Sequence, residues 1–573
     1  MKEDMKDGFE KKHKLSLEIL LPCIHFLSSF FYEWTILQWK PEKITVTARA
    51  KDLTYGDTFE RVMEYGLAKL FAALIIFLLW KMVFYFIHNF WKDKELIFFA
   101  LLFLVGTACF AVTWPNLFYY DVDNYITYTY AIRLYPEYWH NAYTSILYTA
   151  SFMTIPHPFA ICFLQWTLFF FDMIYAYKRL KNSPCMRRFT WPFLILVFIV
   201  PRVLLLINDP YRTELYSLVC IYYVFSILMD ALEGKTYSNA KLVCLAFLSA
   251  LLAVWRTEGI ILGTLGFLII LFFVNRCSLK KHFIFLALYA VAFLIVSFPQ
   301  KVGDVKYYGS DYAIINSFPS LHNILNRADS NLSYPGAEED LAAIAAVVPI
   351  EAIQVYDMDG YRRYNVMNGN VDINQSITSH ETGKRYVKAF YRIVLHNPVT
   401  YLRTQWNMLM VVYKFSDYYY SEKPSVELSM EYEPWTFPAW ESGILDLYQN
   451  PYAKPWIEYG KRIALAGLVE KVWWTTEGIM IRIKVYGIIL VIIPLVACFI
   501  VLRELIRFFK SKDKKKVLRE LCPACMAIVL LGQYAAIVLV MPAGQLVYFH
   551  ALYFCSLFLE IVYFGWRRNY GKI

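Results

Sequence analysis

The chain is divided by a succession of apolar runs, each close to the ~20 residues a helix needs to cross a bilayer. In order they cover 16–37, 67–91, 96–114, 157–177, 191–207, 214–232, 240–255, 259–274, 283–298, 485–502, 521–541 and 546–566. Such runs are too long for single strands and too apolar for the surface of a soluble domain. They predict an α-helical polytopic membrane protein with about twelve transmembrane helices and a mixed extracytoplasmic domain. Composition agrees: 58% of the 573 residues are hydrophobic and 18% are charged, against about a quarter charged in soluble domains. The first run exceeds a signal-peptide core and lacks a small-residue cleavage site, so it reads as a retained span.

The net charge of +10 sits in short clusters between the runs. Lys178, Arg179, Lys181, Arg187 and Arg188 form one, and Arg276, Lys280 and Lys281 a second. Residues 503–520 form a third, and Arg567, Arg568 and Lys572 the last. Clusters of this kind orient spans with the positive side inward; they are not a nucleic-acid face. An even number of spans then puts both termini in the cytoplasm of a multi-pass cell-membrane protein. The loop with Lys40, Lys43, Arg49, Lys51 and Arg61 runs against that rule. The organisation predicted is an N-terminal tail with two spans (1–95) and a transmembrane core (96–299). An extracytoplasmic domain with interfacial helices (300–484) and three C-terminal spans (485–573) follow. Within the outer domain, 398–415 is apolar but short and carries Arg403, Gln405 and Asn407, which predicts an interfacial or re-entrant helix.

There are 11 cysteines, mostly inside apolar runs, and none in 301–484, so disulfides are not expected to support the outer region. Cys522-Pro-Ala-Cys525 has redox or metal spacing but no second Cys or His pair nearby, and reads as helix packing.

Segments 115–156, 208–213 and 301–484 and the turn Arg256-Thr257-Glu258 are expected to share the extracytoplasmic face, joined by Pro542-Ala543-Gly544. Asp121 and Asp123 stand just beyond the third run among Tyr120, Tyr125, Trp139 and His140. A carboxylate there suits a general base, a second one two residues away suits a metal or an acceptor contact, and the rings suit sugar stacking. An ordinary polar loop in an aromatic belt is the plain alternative. The Asp-x-Asp spacing admits a divalent cation, magnesium or manganese, on Asp121 and Asp123, without a third ligand in view. Arg202 and Arg256, with Glu258 beside the latter, lie at membrane depth, where ionisable groups face a cavity, a partner or a headgroup. Arginine's planar fork fits phosphate; against this, Arg256 and Glu258 would pair merely to close the turn. Lys81, Asp172, Glu214, Asp230 and Glu560 read as interfacial or helix-pairing charges. His396, before Asn397-Pro398, either orients an acceptor or a phosphate or belongs to a helix cap. No P-loop, Gly-rich dinucleotide turn or zinc-type cluster occurs.

The layout resembles the GT-C superfamily of integral-membrane glycosyltransferases, and is most similar to bacterial members with a Pro-x-x-x-x-x-Asp stretch after an early span. Here that stretch is Pro115 to Asp121; His396-Asn397-Pro398 with Tyr401, and Pro542 with Tyr548-Phe549, resemble two later patterns. The chain departs from them at Asn116, where glycine is common, and at Val547, where arginine is common. The resemblance implies a GT-C-like core and transfer of a sugar from a polyprenyl-phosphate donor. Asp121 would be the base, Asp123 its assistant, and Arg256 and Arg202 the donor-phosphate contacts. Partners would be the bilayer, the lipid-linked sugar and a glycan, lipid or polymer acceptor. Three other readings stay open: a lipid-linked saccharide flippase or transporter, a polysaccharide polymerase or ligase, and a non-catalytic assembly protein.

Overall fold

The computed structural model describes residues 2–35, 44–46, 53–55, 58–113, 141–156, 160–198, 212–275, 278–306, 311–354, 380–413, 485–511, 521–541 and 546–570. The first half of the fold holds α1 (Lys2–Thr35), a hairpin of β1 (Ile44–Val46) and β2 (Leu53–Tyr55), α2 (Thr58–Asn89), α3 (Lys94–Thr113), α4 (Ala142–Thr154), α5 (Ala160–Asn182) and α6 (Thr190–Phe198). Next come α7 (Arg212–Leu232), α8 (Asn239–Trp255), α9 (Gly259–Ile269), which continues as a π-helical turn to Asn275, and α10 (Leu279–Lys306). A run of shorter helices follows: α11 (Asp311–Leu325), α12 (Ala337–Ala345), α13 (Ile350–Gln354), α14 (His380–His396) and α15 (Pro398–Tyr413). Last are α16 (Val485–Lys510), α17 (Cys522–Val540) and α18 (His550–Tyr570).

Among the described residues six helices are long and apolar enough to cross a membrane: α2, α5, α7, α10, α16 and α17. The chain is thus an α-helical membrane protein. Among the described residues two hydrophobic cores organise it. The larger draws on α4, α5, α7, α8, α9, α17 and α18, with Tyr148, Phe169, Tyr223, Phe267 and Phe558 fully buried. The smaller belongs to α11–α14 and closes on Ile314, Phe318, Leu321, Ile344, Tyr386 and Ile393. Helix α15 links the two, packing on α11, α16 and α17.

Charged pairs join several of the helices at each end of the bundle. At one end Arg179 of α5 pairs with Asp230 of α7 at 2.9 Å, and Lys178 with Asp93 at 2.7 Å. Arg567 of α18 meets Glu504 of α16 there, with Tyr563 Oη donating to Glu504 at 2.6 Å. Burial alone would raise the Asp93 carboxyl, but the Lys178 ammonium holds it below its usual range. The opposite end carries Arg256, Glu258, Glu214 and His550. Asp230 and Glu214 are therefore helix-pairing charges.

Four expectations about boundaries need correction. Helix α2 begins at Thr58, nine residues before the apolar run starts at 67, because Glu60 and Glu64 turn inward. The Thr149 hydroxyl donates to Glu64 at 3.0 Å, giving the carboxylate a buried partner. The stretch 115–156 is not wholly an external loop: all 13 residues of α4 are buried, against α2. Its start bonds to the ends of α8 and α10, while the Thr154 carbonyl meets His25 Nε2, in the apolar half of α1, at 2.8 Å. Helix α10 runs on to Lys306, past the boundary expected at 299. The described part of 300–484 is helical, and the strands pair between α1 and α2 instead, with Ile44 opposite Tyr55.

Candidate functional site

The Arg256-Thr257-Glu258 turn is held by how closely α8 and α9 approach. A side chain at Gly263 would collide with the Ser249 carbonyl, and one at Gly259 with the Leu252 carbonyl. Small residues four apart allow this contact between membrane helices. Arg256 Nε donates to Glu258, and both side chains are largely buried. The guanidinium lies 5.7 Å from the centre of the Tyr216 ring, a cation–π contact. Trp255 meets the same ring edge-on at 5.9 Å, and Gln533 Nε2 donates to Tyr216 Oη at 3.3 Å. Elements far apart in sequence (α7, the α8–α9 turn and α17) so converge on one arginine whose charge Glu258 balances.

Asn141, the residue ahead of α4, is bonded to the last turn of α8 just before this turn. Asn141 is the only non-glycine residue among the described ones with positive φ, at φ 86° and ψ 130°. That backbone region is essentially reserved for glycine, and the side chain explains why asparagine holds it. Its carbonyl accepts from the Tyr143 amide at 3.0 Å, capping α4, and its amide donates to the Val254 carbonyl at 2.9 Å. Trp255 Nε1 donates to Thr144 Oγ1 at 3.1 Å, and the Ala142 amide donates to Gln300 Oε1 at 2.8 Å. Asn141→Ala is expected to lower stability by about 2–3 kcal/mol, combining a lost cap and bridge with a strained φ. Asn141→Gly should lose less, since glycine accepts that backbone; thermal unfolding of the two variants in detergent checks the order.

Beside the turn, Glu214 in the first turn of α7 faces His550 in the first turn of α18, with Nδ1 and Oε1 2.8 Å apart. Their side chains are 0% and 3% exposed. Removing one partner of a buried polar pair leaves the other without it, which costs about 1–3 kcal/mol, whereas replacing both by apolar groups of similar shape is nearly neutral. His550→Leu is therefore expected to cost that much, and the Glu214→Leu/His550→Leu double variant to recover most of it, read as midpoints of thermal unfolding.

Of the residues singled out from sequence, Arg256 and Glu258 meet in one cluster. His396 does not join them: its ring stacks on Tyr334, centroids 3.9 Å apart and 11° from parallel. Tyr334 Oη donates to Asp340 at 2.7 Å, and Arg392 pairs with Asp340 at 3.3 Å. Burial, with the Asp340 carboxylate beside it, pushes the Tyr334 hydroxyl above its ordinary range and keeps it a donor. Asn397 next to it ties α14 to Asn331, accepting from that residue's amide at 2.7 Å and donating to its carbonyl at 3.0 Å. His396 thus lies exposed against Tyr334 at the edge of the small core. Asp121, Asp123, Tyr120, Tyr125, Trp139, His140 and Arg202 lie outside the described residues. So does the Asp121–Asp123 metal option; among the described residues no group of three or more His, Cys, Asp or Glu side chains could hold a metal ion. Cys522 and Cys525 are free thiols in the first turn of α17.

Sequence reasoning missed His550 and the inward charges of α2. Lys69 Nζ donates to Ser29 Oγ at 2.7 Å, contacts Glu33, and lies 3.6 Å from the Phe30 ring centre; Tyr65 Oη donates to Glu33 at 2.8 Å. The available signal was the spacing: Glu60 and Glu64 one turn apart, then Lys69, at the mouth of an apolar run. No protein-family model, curated protein or solved structure matches the chain.

Proposed function

We propose that the chain is an inverting membrane glycosyltransferase of GT-C-like architecture, with about twelve spans. It would move a sugar from a polyprenyl-phosphate donor to an extracytoplasmic glycan, lipid or polymer acceptor. The observation that carries this reading is the Asn141 bridge to Val254. The stretch bearing Asp121 and Asp123 ends at Asn141, and Val254 lies two residues before Arg256. The first described residue after the carboxylate-bearing stretch is so bonded two residues before a phosphate-compatible arginine, which supports a site shared by the two. The basic clusters of α5, α16 and α18 occupy the other end, which suits a cytoplasmic side there and cytoplasmic termini.

In this reading the donor's lipid tail lies in the outer leaflet and its phosphate meets Arg256 and Arg202, with Glu258 tuning the arginine. Asp121 takes the proton of the acceptor hydroxyl as that oxygen bonds to the anomeric carbon. The carbon–oxygen bond to phosphate breaks on the opposite face, and its electron pair leaves on the phosphate, whose charge the arginines balance. The transition state resembles that of glycosidases, so a nearby carboxylate also stabilises it. Asp123 assists, by holding the acceptor or, with Asp121, a magnesium or manganese ion. Tyr120, Tyr125, Trp139 and His140 supply stacking and hydroxyl contacts to sugar.

The test is the full chain reconstituted in vesicles with labelled polyprenyl-phosphate sugar and a panel of acceptors. Transfer with inverted anomeric configuration is the expected result. Movement of the intact lipid-linked sugar between leaflets, with its sugar–phosphate bond uncut, would instead establish the flippase reading.

A further inference from the structure

Helix α14 buries one face, Tyr386, Ala389, Phe390 and Ile393, in the small core. Its other face changes character along its length. Lys384 and Lys388 come first and are exposed, with no ion pair among the described residues; Tyr391 and Leu395 follow. The apolar series continues across the Asn397 corner into α15 as Val399, Leu402 and Trp406. These five side chains are spaced by four, four, three and four residues, and each is between 54% and 75% exposed. The opposite side of α15 is occupied: Thr404 accepts from Asn323 Nδ2 at 3.1 Å, and Met408 is buried.

Two observations say what covers this stripe. Tyr401 Oη donates to the carbonyl of Leu539, in the last turn of α17, so α15 starts level with the end of a helix long enough to span the membrane. Helix α15 also packs on α16, whose Ile488, Val491 and Leu495 are exposed apolar side chains of another such helix. The stripe therefore continues a lipid-facing surface at the bilayer rim. The charge above it is positive, from Lys384 and Lys388, and Arg403 is exposed within it. Lys388 stands seven residues before Leu395, about 10 Å along the helix axis, and a lysine stem can bend back toward a headgroup layer that is ~5–7 Å thick.

We propose that the α14–α15 corner is a docking surface for anionic lipid headgroups. Leu395, Val399, Leu402 and Trp406 enter the acyl edge, and Lys388 and Arg403 meet the phosphates. Docking clamps the small helical core to the membrane through a contact separate from the spanning helices. It holds whatever reaction the chain performs.

The test uses the full chain in nanodiscs of phosphatidylcholine, with or without phosphatidylglycerol, carrying photoreactive benzoylphenylalanine at position 395, 399 or 406. A probe at exposed Glu338 of α12 serves as reference. Acyl-chain adducts at the three positions and none at 338 are expected by mass spectrometry. Lys388→Gln should lower adduct yield up to about fivefold in phosphatidylglycerol discs and leave it unchanged in phosphatidylcholine alone, and Lys384→Gln, ~16 Å from Leu395 along the axis, should lower it less. Adducts to a second chain in place of lipid, or no adducts at 395 and 406 in chain that elutes normally, would overturn the docking. Yield indifferent to phosphatidylglycerol would overturn its anionic specificity.

Discussion

Asp121→Asn is expected to cut sugar transfer by ~10²–10⁴-fold, the usual contribution of a positioned base, while leaving donor affinity near that of the unaltered chain. Asparagine keeps the size of aspartate and its hydrogen bonds to an acceptor, but it cannot take the hydroxyl proton. The loss should fall on kcat, because the interaction removed exists only as the oxygen attacks. Single-turnover transfer of labelled polyprenyl-phosphate sugar, beside equilibrium binding of the same donor, separates the two. Full transfer by the variant would remove Asp121 as base. It would shift weight to a polymerase-like or ligase-like site built on arginine and histidine, for which Arg256 and buried His550 lie at the same end of the helices. A flippase would carry lipid-linked sugar equally well with either residue.

How much of this was legible in the sequence depends on whether a residue's partner is local. The Arg256–Glu258 turn was legible because two charges interrupt apolar runs two residues apart, and glycines at 259 and 263 let the flanking helices close on it. Helix α4 was not. Its Tyr, Thr and Ser content reads as a polar loop, yet Ser145, Ser151 and Thr154 return their hydroxyls to carbonyls one turn back, at Ala142, Leu147 and Ala150. Hydroxyls satisfied within their own helix enter an apolar interior at low cost. The start of α2 was hidden for a related reason: Glu64 looks like a loop residue until Thr149, 85 positions away, supplies its donor. Glu214 and His550 lie in separate runs, and no periodicity announces that two helix starts will face each other. Spans are one-dimensional information, and ion pairs between them are not.

That difference bears most on Arg256, where the pairing with Glu258 admits two roles with opposite consequences. If the guanidinium meets the donor phosphate, Arg256→Ala removes a charge-assisted contact of about 1.5–3 kcal/mol, which weakens donor binding by ~10–150-fold. Arg256→Lys should fall between, keeping the charge and losing the fork. Glu258→Gln must then act in the other direction. The amide oxygen still accepts from Arg256 Nε, but the negative charge that competes with phosphate is gone, so donor affinity is expected to hold or rise, most clearly at low salt. The double variant should behave as Arg256→Ala alone, because the effect of Glu258 is exerted through the arginine. A turn that is only closed by the pair gives another pattern, since both single variants then lose thermal stability together and donor affinity moves in neither. Donor binding to the full chain at two ionic strengths, read beside unfolding midpoints for the four variants, distinguishes the cases. Tighter binding by Glu258→Gln is the outcome that only a phosphate-facing Arg256 explains.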